Sequence, residues 1–276
     1  MADERYVKAG GIRYHCELHG EGEPLLLLHG GLGSFDMFAP VLPIMGAGRQ
    51  VIGIDLLGHG HTELGSRSVN LFEMADDTAA VLRELGFEQV DVFGYSLGAG
   101  VALRLAAQHP ELVRRLVLAS APFSPDGFYP EMRPMQAQVG ASMFEYMKDT
   151  PMYTTYAAEA PHPEDFPRLL DAMGAYMRED YDFSADVAKL QMPVMLAFGD
   201  SDMVSLDHVV EFYKLLGGAQ KDAGWGREHM AKNRLAIIPD LTHYEAFQSP
   251  AMARAVMPFL NGESGATSWA EAVAEG

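Results

Sequence analysis

The stretch "GYSLG" at residues 94–98 places a serine between two glycines, after the apolar run "QVDVF" and before the small-residue pattern "AGVALRLAAQ". A serine hydroxyl attacks a carbonyl group only when a base accepts its proton and fixed donors stabilise the resulting oxyanion. A strand, a Gly-x-Ser-x-Gly turn and a helix in this order are typical of a strained turn that presents such a serine. The pattern predicts that Ser96 is a nucleophile, whose base and second oxyanion donor come from elsewhere in the chain.

The loop "HGGLGS" at 29–34 is a candidate source of oxyanion donors, because it directly follows the strand-like run "PLLLL". Backbone N–H groups of Gly31 or Leu32, with that of Leu97 after the nucleophile, are predicted to hold the oxyanion. The loop lacks the Lys-Ser/Thr pair of a P-loop and the full GxGxxG spacing, which argues against a phosphate site.

Ten histidines compete for the role of base. His243, in "IPDLTHYEAF", follows the last strand-like run and is expected at the same sheet edge as Ser96. His59 and His61 belong to a glycine-rich turn, and His29 begins the oxyanion loop, so we assign these three to structure. His243 is the predicted base.

An acidic side chain that orients the base is expected between the serine and the histidine in chain order. The segment "AFGDSDMVS" offers Asp200, the last residue of a strand-like run, and Asp202, just beyond it. The natural alternative role for such an aspartate is to cap a turn. The residues alone leave the choice between the two open.

Short, near-continuous apolar runs indicate the strands that must position these side chains. Such runs suit strands buried on both faces of a parallel sheet. These runs are residues 24–30, 49–58, 89–96, 113–120, 192–200 and 234–240. Helical patterns alternate with them at 34–45, 70–86, 96–109, 205–217 and 249–262. Such alternation predicts an α/β fold with a mostly parallel, doubly wound sheet.

Residues 122–190 interrupt the alternation: they contain no strand-like run, but hold seven of the 17 methionines. We expect a helical cap there, inserted into a core formed by residues 1–121 and 191–262. The apolar side chains of the cap either pack it onto the core or line an acyl pocket. Helical spacing gives the pocket candidates Met143, Met147, Tyr153 and Tyr156.

The composition restricts the partners of the chain. Its formal charge of -18 opposes binding to nucleic acid and to anionic membranes. Cys16 is the single cysteine, which excludes an internal disulfide and a cysteine-rich metal site. The first residues have no apolar stretch typical of a signal peptide, and the longest aliphatic run, "LLLL", is far too short to cross a bilayer. A cytoplasmic location is the expectation.

Two polar regions have no assigned role. The tail at 263–276 is small and acidic, and we expect it to be flexible. Residues 217–233 precede the last strand-like run, at the opposite end from Ser96, and self-association through them is one interpretation.

Taken together, the motifs resemble those of the α/β-hydrolase superfamily, specifically its capped serine-hydrolase branch, over residues 5–262. The matching segments are "HGGLGS", "DLLGHGHT", "GYSLGAG", "GDSDMVS" and "PDLTHY", in this order and at the expected strand ends.

The resemblance implies Ser96 as nucleophile, His243 as base and acid, and Asp202 as the residue that orients His243, because acids at the second position of "GDxD" fill this role in the family. It also implies the backbones of Leu97 and Gly31 as oxyanion donors, and an acyl-enzyme formed without a metal or organic cofactor.

Serine at position 96 argues against the dehalogenase and epoxide-hydrolase branches, which use an aspartate nucleophile. Hydrolysis of carboxylic esters is the leading interpretation, with lactones, including acyl-homoserine lactones, as the alternative. The carbon–carbon bond hydrolases usually carry asparagine where this chain has Tyr95, which makes them less favoured. A ligand-binding protein that retains the fold without turnover is the alternative from a different class.

Overall fold

A computed structural model describes residues 3–263, and within them the chain forms one eight-stranded sheet. Of the expected tail, all but Glu263 lies outside the described residues. The strands are β1 (Asp3–Ala9), β2 (Ile12–His19), β3 (Glu23–Leu28), β4 (Arg49–Ile54), β5 (Val90–Tyr95), β6 (Val113–Ala119), β7 (Val194–Ser201) and β8 (Arg234–Thr242). Their order across the sheet is β1-β2-β4-β3-β5-β6-β7-β8. Strands β3 to β8 are parallel, and β1 and β2 pair antiparallel at one edge.

The run "LLLL" in β3 shows why the central strands are apolar throughout. Leu25 to Leu28 are all fully buried. Leu26 and Leu28 face one apolar layer and Leu25 and Leu27 face the other, as the two-residue period of a strand requires. Burial of each leucine stabilises the fold by about 1.5–3 kcal/mol, so both faces must be covered by helices.

Ten α-helices cover the sheet and its edge in the described part of the chain. They are α1 (Leu42–Met45), α2 (Leu71–Glu84), α3 (Leu97–Gln108), α4 (Met132–Ala137), α5 (Phe144–Met147), α6 (Pro151–Glu159), α7 (Phe166–Arg178), α8 (Ser184–Val187), α9 (Leu206–Leu215) and α10 (Pro250–Leu260). Helices α2 and α3 pack on one face and α1 and α10 on the other, so the sheet is doubly wound as predicted. No helix among residues 3–263 is long and apolar enough to cross a membrane.

The predicted helix at 34–45 is replaced by two short pieces. A 3₁₀ turn covers Phe35–Phe38, and α1 begins at Leu42 with Pro43 in its first turn. Proline is tolerated in a first turn but lacks the N–H that a helix interior needs, so Pro40 and Pro43 divide the segment. Elsewhere the capping signals hold: the Asn70 side chain accepts hydrogen bonds from the first turn of α2.

Residues 122–190, which we call the cap segment, contain α4 to α8 between β6 and β7. Their backbone makes one isolated β-bridge, between Phe128 and Val204. Helix α7 is anchored to the core by its buried residues Phe166, Leu169 and Leu170. The segment therefore belongs to the same apolar cluster as one face of the sheet.

Candidate active site

Ser96 occupies a sharp turn between β5 and α3. Its backbone has φ 52° and ψ −117°, a conformation that non-glycine residues rarely adopt. The turn is crowded: a Cβ on Gly94 would collide with the backbone of α3, and one on Gly98 with the carbonyl groups of Leu28 and His29. The two glycines are required by close approach of the chain, and the strain is stored at the residue predicted to react.

This crowding predicts that Gly98→Ala destabilises the fold by about 2–3 kcal/mol or more, because the added methyl group meets rigid backbone. Gly100→Ala, in the same helix, is the matched control. Its methyl group would meet the flexible Leu71 side chain at 3.1 Å, and alanine favours a helix over glycine by about 1 kcal/mol. Denaturant unfolding measures both variants, and equal midpoints for the two would refute the crowding argument.

Three predicted residues form one chain of hydrogen bonds at the carboxyl edge of the sheet. His243 Nε2 lies 3.1 Å from Ser96 Oγ, and His243 Nδ1 lies 3.0 Å from Asp202 Oδ1. Ser96 follows β5, Asp202 follows β7 and His243 follows β8, so parallel strands bring them to one edge. Asp202 is 5% and His243 7% exposed, which keeps the bonds largely away from water.

The structure distinguishes the two candidate acids. Asp200 is exposed, and its carboxylate accepts from the backbone N–H of Leu241 at 3.4 Å, which is a capping role. Asp202 also accepts from the N–H of Val204 at 3.3 Å through the oxygen that faces His243. Only Asp202 of this pair contacts His243.

Two further side chains support this arrangement and were not predicted from the sequence. The Ser120 hydroxyl donates to Asp202 Oδ2 at 2.5 Å, and the Tyr95 hydroxyl donates to the backbone carbonyl of His243 at 2.5 Å. Burial raises the pKa of Tyr95, which keeps it a donor. The available signal for Ser120 was its position directly after the run that forms β6.

The predicted oxyanion donors lie around the same point. Gly31, Leu32 and Leu97 border the cavity that contains Ser96. Leu97 is the first residue of α3, where amide N–H groups have no acceptor within the helix and the helix dipole favours negative charge. Leu32 has φ 60°, so the loop turns sharply beside Gly31.

His29, the first residue of the oxyanion loop, links this loop by hydrogen bonds to the segment after β4. It is fully buried, its Nδ1 lies 2.7 Å from the carbonyl of Gly30, and its Nε2 accepts from the N–H of Leu56 at 2.9 Å. One ring nitrogen therefore donates and the other accepts, which requires the neutral imidazole. Burial lowers the pKa of His29 and so favours that form.

A cavity of about 450 Å³ opens on Ser96 and His243. Its wall is mainly apolar, and all seven methionines of the cap segment contribute to it. Met143 and Met147, two of the predicted pocket residues, lie in its wall. Tyr153 and Tyr156 do not, contrary to expectation, because both rings pack against the buried Phe166.

Known proteins share this fold. A family model described as the alpha/beta hydrolase fold matches residues 23–150, which include Ser96 and the oxyanion loop. A carboxylesterase CesB structure from Bacillus subtilis superimposes with a TM-score of 0.70 at 20% identity, covering 96% of this chain and 93% of that chain.

Two curated relatives match this chain over different lengths. A 2-hydroxymuconate semialdehyde hydrolase from Pseudomonas sp. is 40% identical over 118 residues, covering 41% of this chain and only 42% of that protein. A pimeloyl-[acyl-carrier protein] methyl ester esterase from Neisseria meningitidis is 30% identical over 242 residues, covering 80% of this chain and 88% of that protein. With the eight-stranded, mostly parallel sheet, this extended likeness shows that the chain belongs to the α/β-hydrolase family.

Proposed function

We propose that this protein hydrolyses carboxylic esters through an acyl-enzyme formed on Ser96. The observation that carries the proposal is the continuous chain of hydrogen bonds from Ser96 through His243 to Asp202, with Ser96 and His243 lining an apolar cavity. A nucleophile, a base and an orienting acid within hydrogen-bond reach are the arrangement that acyl transfer requires.

In the proposed reaction, Ser96 Oγ attacks the ester carbonyl carbon while its proton passes to His243 Nε2. The N–H groups of Leu97 and of Gly31 or Leu32 hold the oxyanion. Collapse of the tetrahedral intermediate breaks the C–O bond, and the imidazolium returns its proton to the leaving alkoxide. Water then attacks the acyl-enzyme with His243 again as base, and Asp202 stays ionised as the counter-charge of the imidazolium.

The curated relatives support the ester assignment unequally. Likeness to the methyl ester esterase extends over 80% of this chain, whereas likeness to the 2-hydroxymuconate semialdehyde hydrolase extends over 41%. The higher identity of the shorter match keeps carbon–carbon bond hydrolysis as a further candidate, ranked after lactone opening. Lactone opening requires the same three side chains, since a lactone is a cyclic ester.

A substrate panel tests these alternatives directly. We expect kcat/KM to be highest for p-nitrophenyl esters, lower for acyl-homoserine lactones, and lowest for 2-hydroxymuconate semialdehyde. A burst of p-nitrophenol equal to the enzyme concentration is expected in rapid mixing if acylation outpaces deacylation. Saturable binding of an ester without acylation or turnover would favour the ligand-binding alternative instead.

The cavity wall predicts how substrates are selected by acyl length. Each accommodated methylene contributes up to about 0.8 kcal/mol of transfer free energy, so kcat/KM should rise with chain length until the cavity is filled. Met143→Trp or Met147→Trp should move the preferred acyl length to shorter chains, because the larger indole ring occupies part of the cavity. The measurement is kcat/KM from acetate to dodecanoate esters.

Tyr153→Trp is the matched control for these variants, since Tyr153 contacts Phe144 and Phe166 rather than the cavity. Its length profile should follow that of the wild type. A profile that changes with Tyr153→Trp but not with either methionine variant would place the acyl chain elsewhere.

A further inference from the structure

A second cluster of titratable side chains lies apart from the hydrogen-bonded residues Ser96, His243 and Asp202. His15 is in β2, Asp55 directly follows β4, and His61 is in the turn after it. Both histidines direct Nδ1 at the same carboxylate oxygen, Asp55 Oδ2, at 3.0 Å from His15 and 3.2 Å from His61. The two imidazole rings lie side by side, with centroids 4.4 Å apart.

These distances match those between neighbouring ligand atoms around a bound metal ion. Zinc binds histidine nitrogen and carboxylate oxygen at about 2.0–2.2 Å, so two ligands of a tetrahedral ion lie about 3.3 Å apart. The ligand atoms of His15, Asp55 and His61 all lie within 4.8 Å of one another. His61 has a side chain that is 37% exposed, so its ring can adjust and an ion can enter on that side.

The surroundings of the cluster are acidic. Asp55 is buried, yet hydrogen bonds from His15 and His61 outweigh burial and hold its pKa well below the usual range. Glu159, at the end of α6, has a buried Oε2 with no hydrogen-bond partner. Burial raises the pKa of Glu159, the Ser34 hydroxyl lowers it, and the negative charges of Asp36 and Asp55 raise it further. A cation at the cluster would offset this charge.

A second buried polar atom points to the same region. Ser34 Oγ has no hydrogen-bond partner, although Ser34 is only 3% exposed and precedes Phe35, whose N–H donates to Asp55 Oδ1 at 2.9 Å. The Ser34 hydroxyl lies close enough to Glu159 to lower the pKa of that carboxyl, so these two oxygen-bearing side chains interact with each other near a group that already has the ligand types and spacing of a metal site.

We propose that His15, Asp55 and His61 bind one zinc ion, through one nitrogen of each ring and one oxygen of the carboxylate. The ion takes the place of the Nδ1 protons that join the rings to Asp55; these protons pass to solvent or, through solvent, to Nε2 of the same ring, and a water molecule completes the zinc shell. Three nitrogen and oxygen ligands with an open fourth position are a stable arrangement for zinc. The ion takes no part in the proposed ester hydrolysis; it links β2 to the turn that holds His61.

The test is isothermal titration of the metal-stripped full chain with Zn²⁺ near neutral pH. We expect one tight site per protein, and His61→Ala should weaken it by at least about tenfold, because a ligand is lost. His229→Ala is the matched control: His229 is exposed, precedes β8 at the opposite edge of the sheet from β2, and is not one of the cluster ligands. This control should bind like the wild type.

Thermal melting in EDTA establishes that His61→Ala is folded, and added Zn²⁺ should then raise Tm for the wild type but not for the variant. Cobalt provides a measurement that needs no variant: Co²⁺ bound with this ligand set should show the intense visible absorption of a four-coordinate ion. Absence of a saturable site in the wild type, equal affinity in His61→Ala, or a weak octahedral cobalt spectrum would each overturn the proposal.

Discussion

Replacement of Ser96 by alanine is expected to lower kcat for ester hydrolysis by on the order of 10⁴-fold to 10⁶-fold. The change removes the atom that would form the acyl-enzyme and leaves the oxyanion donors and the cavity in place. Folding should be little affected, because Ser96 Oγ is hydrogen-bonded to the His243 side chain beside the cavity rather than to the backbone that holds the sheet together. The strained backbone conformation at this position is unfavourable for serine and alanine alike.

The measurement is steady-state hydrolysis of a p-nitrophenyl ester, with burst amplitude recorded by rapid mixing. Ser124→Ala is a suitable control, since Ser124 is a buried serine that takes no part in the proposed reaction. It should retain wild-type kcat. Ser96→Ala activity within tenfold of wild type, in a preparation free of contaminating esterase, would exclude Ser96 as the nucleophile.

Replacement of Asp202 by asparagine should lower kcat by about 10²-fold to 10⁴-fold. The larger value applies where the amide turns its NH₂ toward His243 and forces the wrong imidazole tautomer. Here the N–H of Val204 donates to the oxygen on the His243 side, so the amide carbonyl is favoured in that position. The charge that stabilises the imidazolium is lost in either orientation, and the decrease in kcat should therefore exceed any change in KM.

Asp200→Asn provides the matched control, two residues away in the same segment. Asp200 is exposed and contacts the backbone near Leu241 rather than His243, so its substitution should change kcat by only a few-fold. A larger loss from Asp200→Asn than from Asp202→Asn would contradict the assignment of the acid.

The positions of the parallel strands could be predicted because burial on both faces leaves a direct signature. "LLLL" becomes β3, and the other five apolar runs become β4 to β8 within a few residues at each end. The order of these ends then predicts that Ser96 and His243 meet, since parallel strands share one carboxyl edge. Local sequence sufficed for these features.

The support of the site could not be predicted, because it depends on side chains that meet through tertiary packing. Ser120 reaches Asp202 across 82 positions of the chain, and Tyr95 reaches His243 across 148. The rotation of α6 likewise decides that Tyr153 faces Phe166 rather than the cavity. Helical spacing identifies residues on one face but not which neighbour that face meets.

His243 follows β8, which is the outermost strand and pairs with β7 alone. An edge strand detaches from a sheet more readily than a central one, because only one ladder of hydrogen bonds and part of the core must be given up. Tyr95 belongs to β5, near the middle of the sheet, and its hydroxyl secures the backbone of His243 directly to that interior. We therefore expect local opening of β8, opposed by the Tyr95 hydrogen bond, to separate His243 from Ser96 more often than global unfolding does.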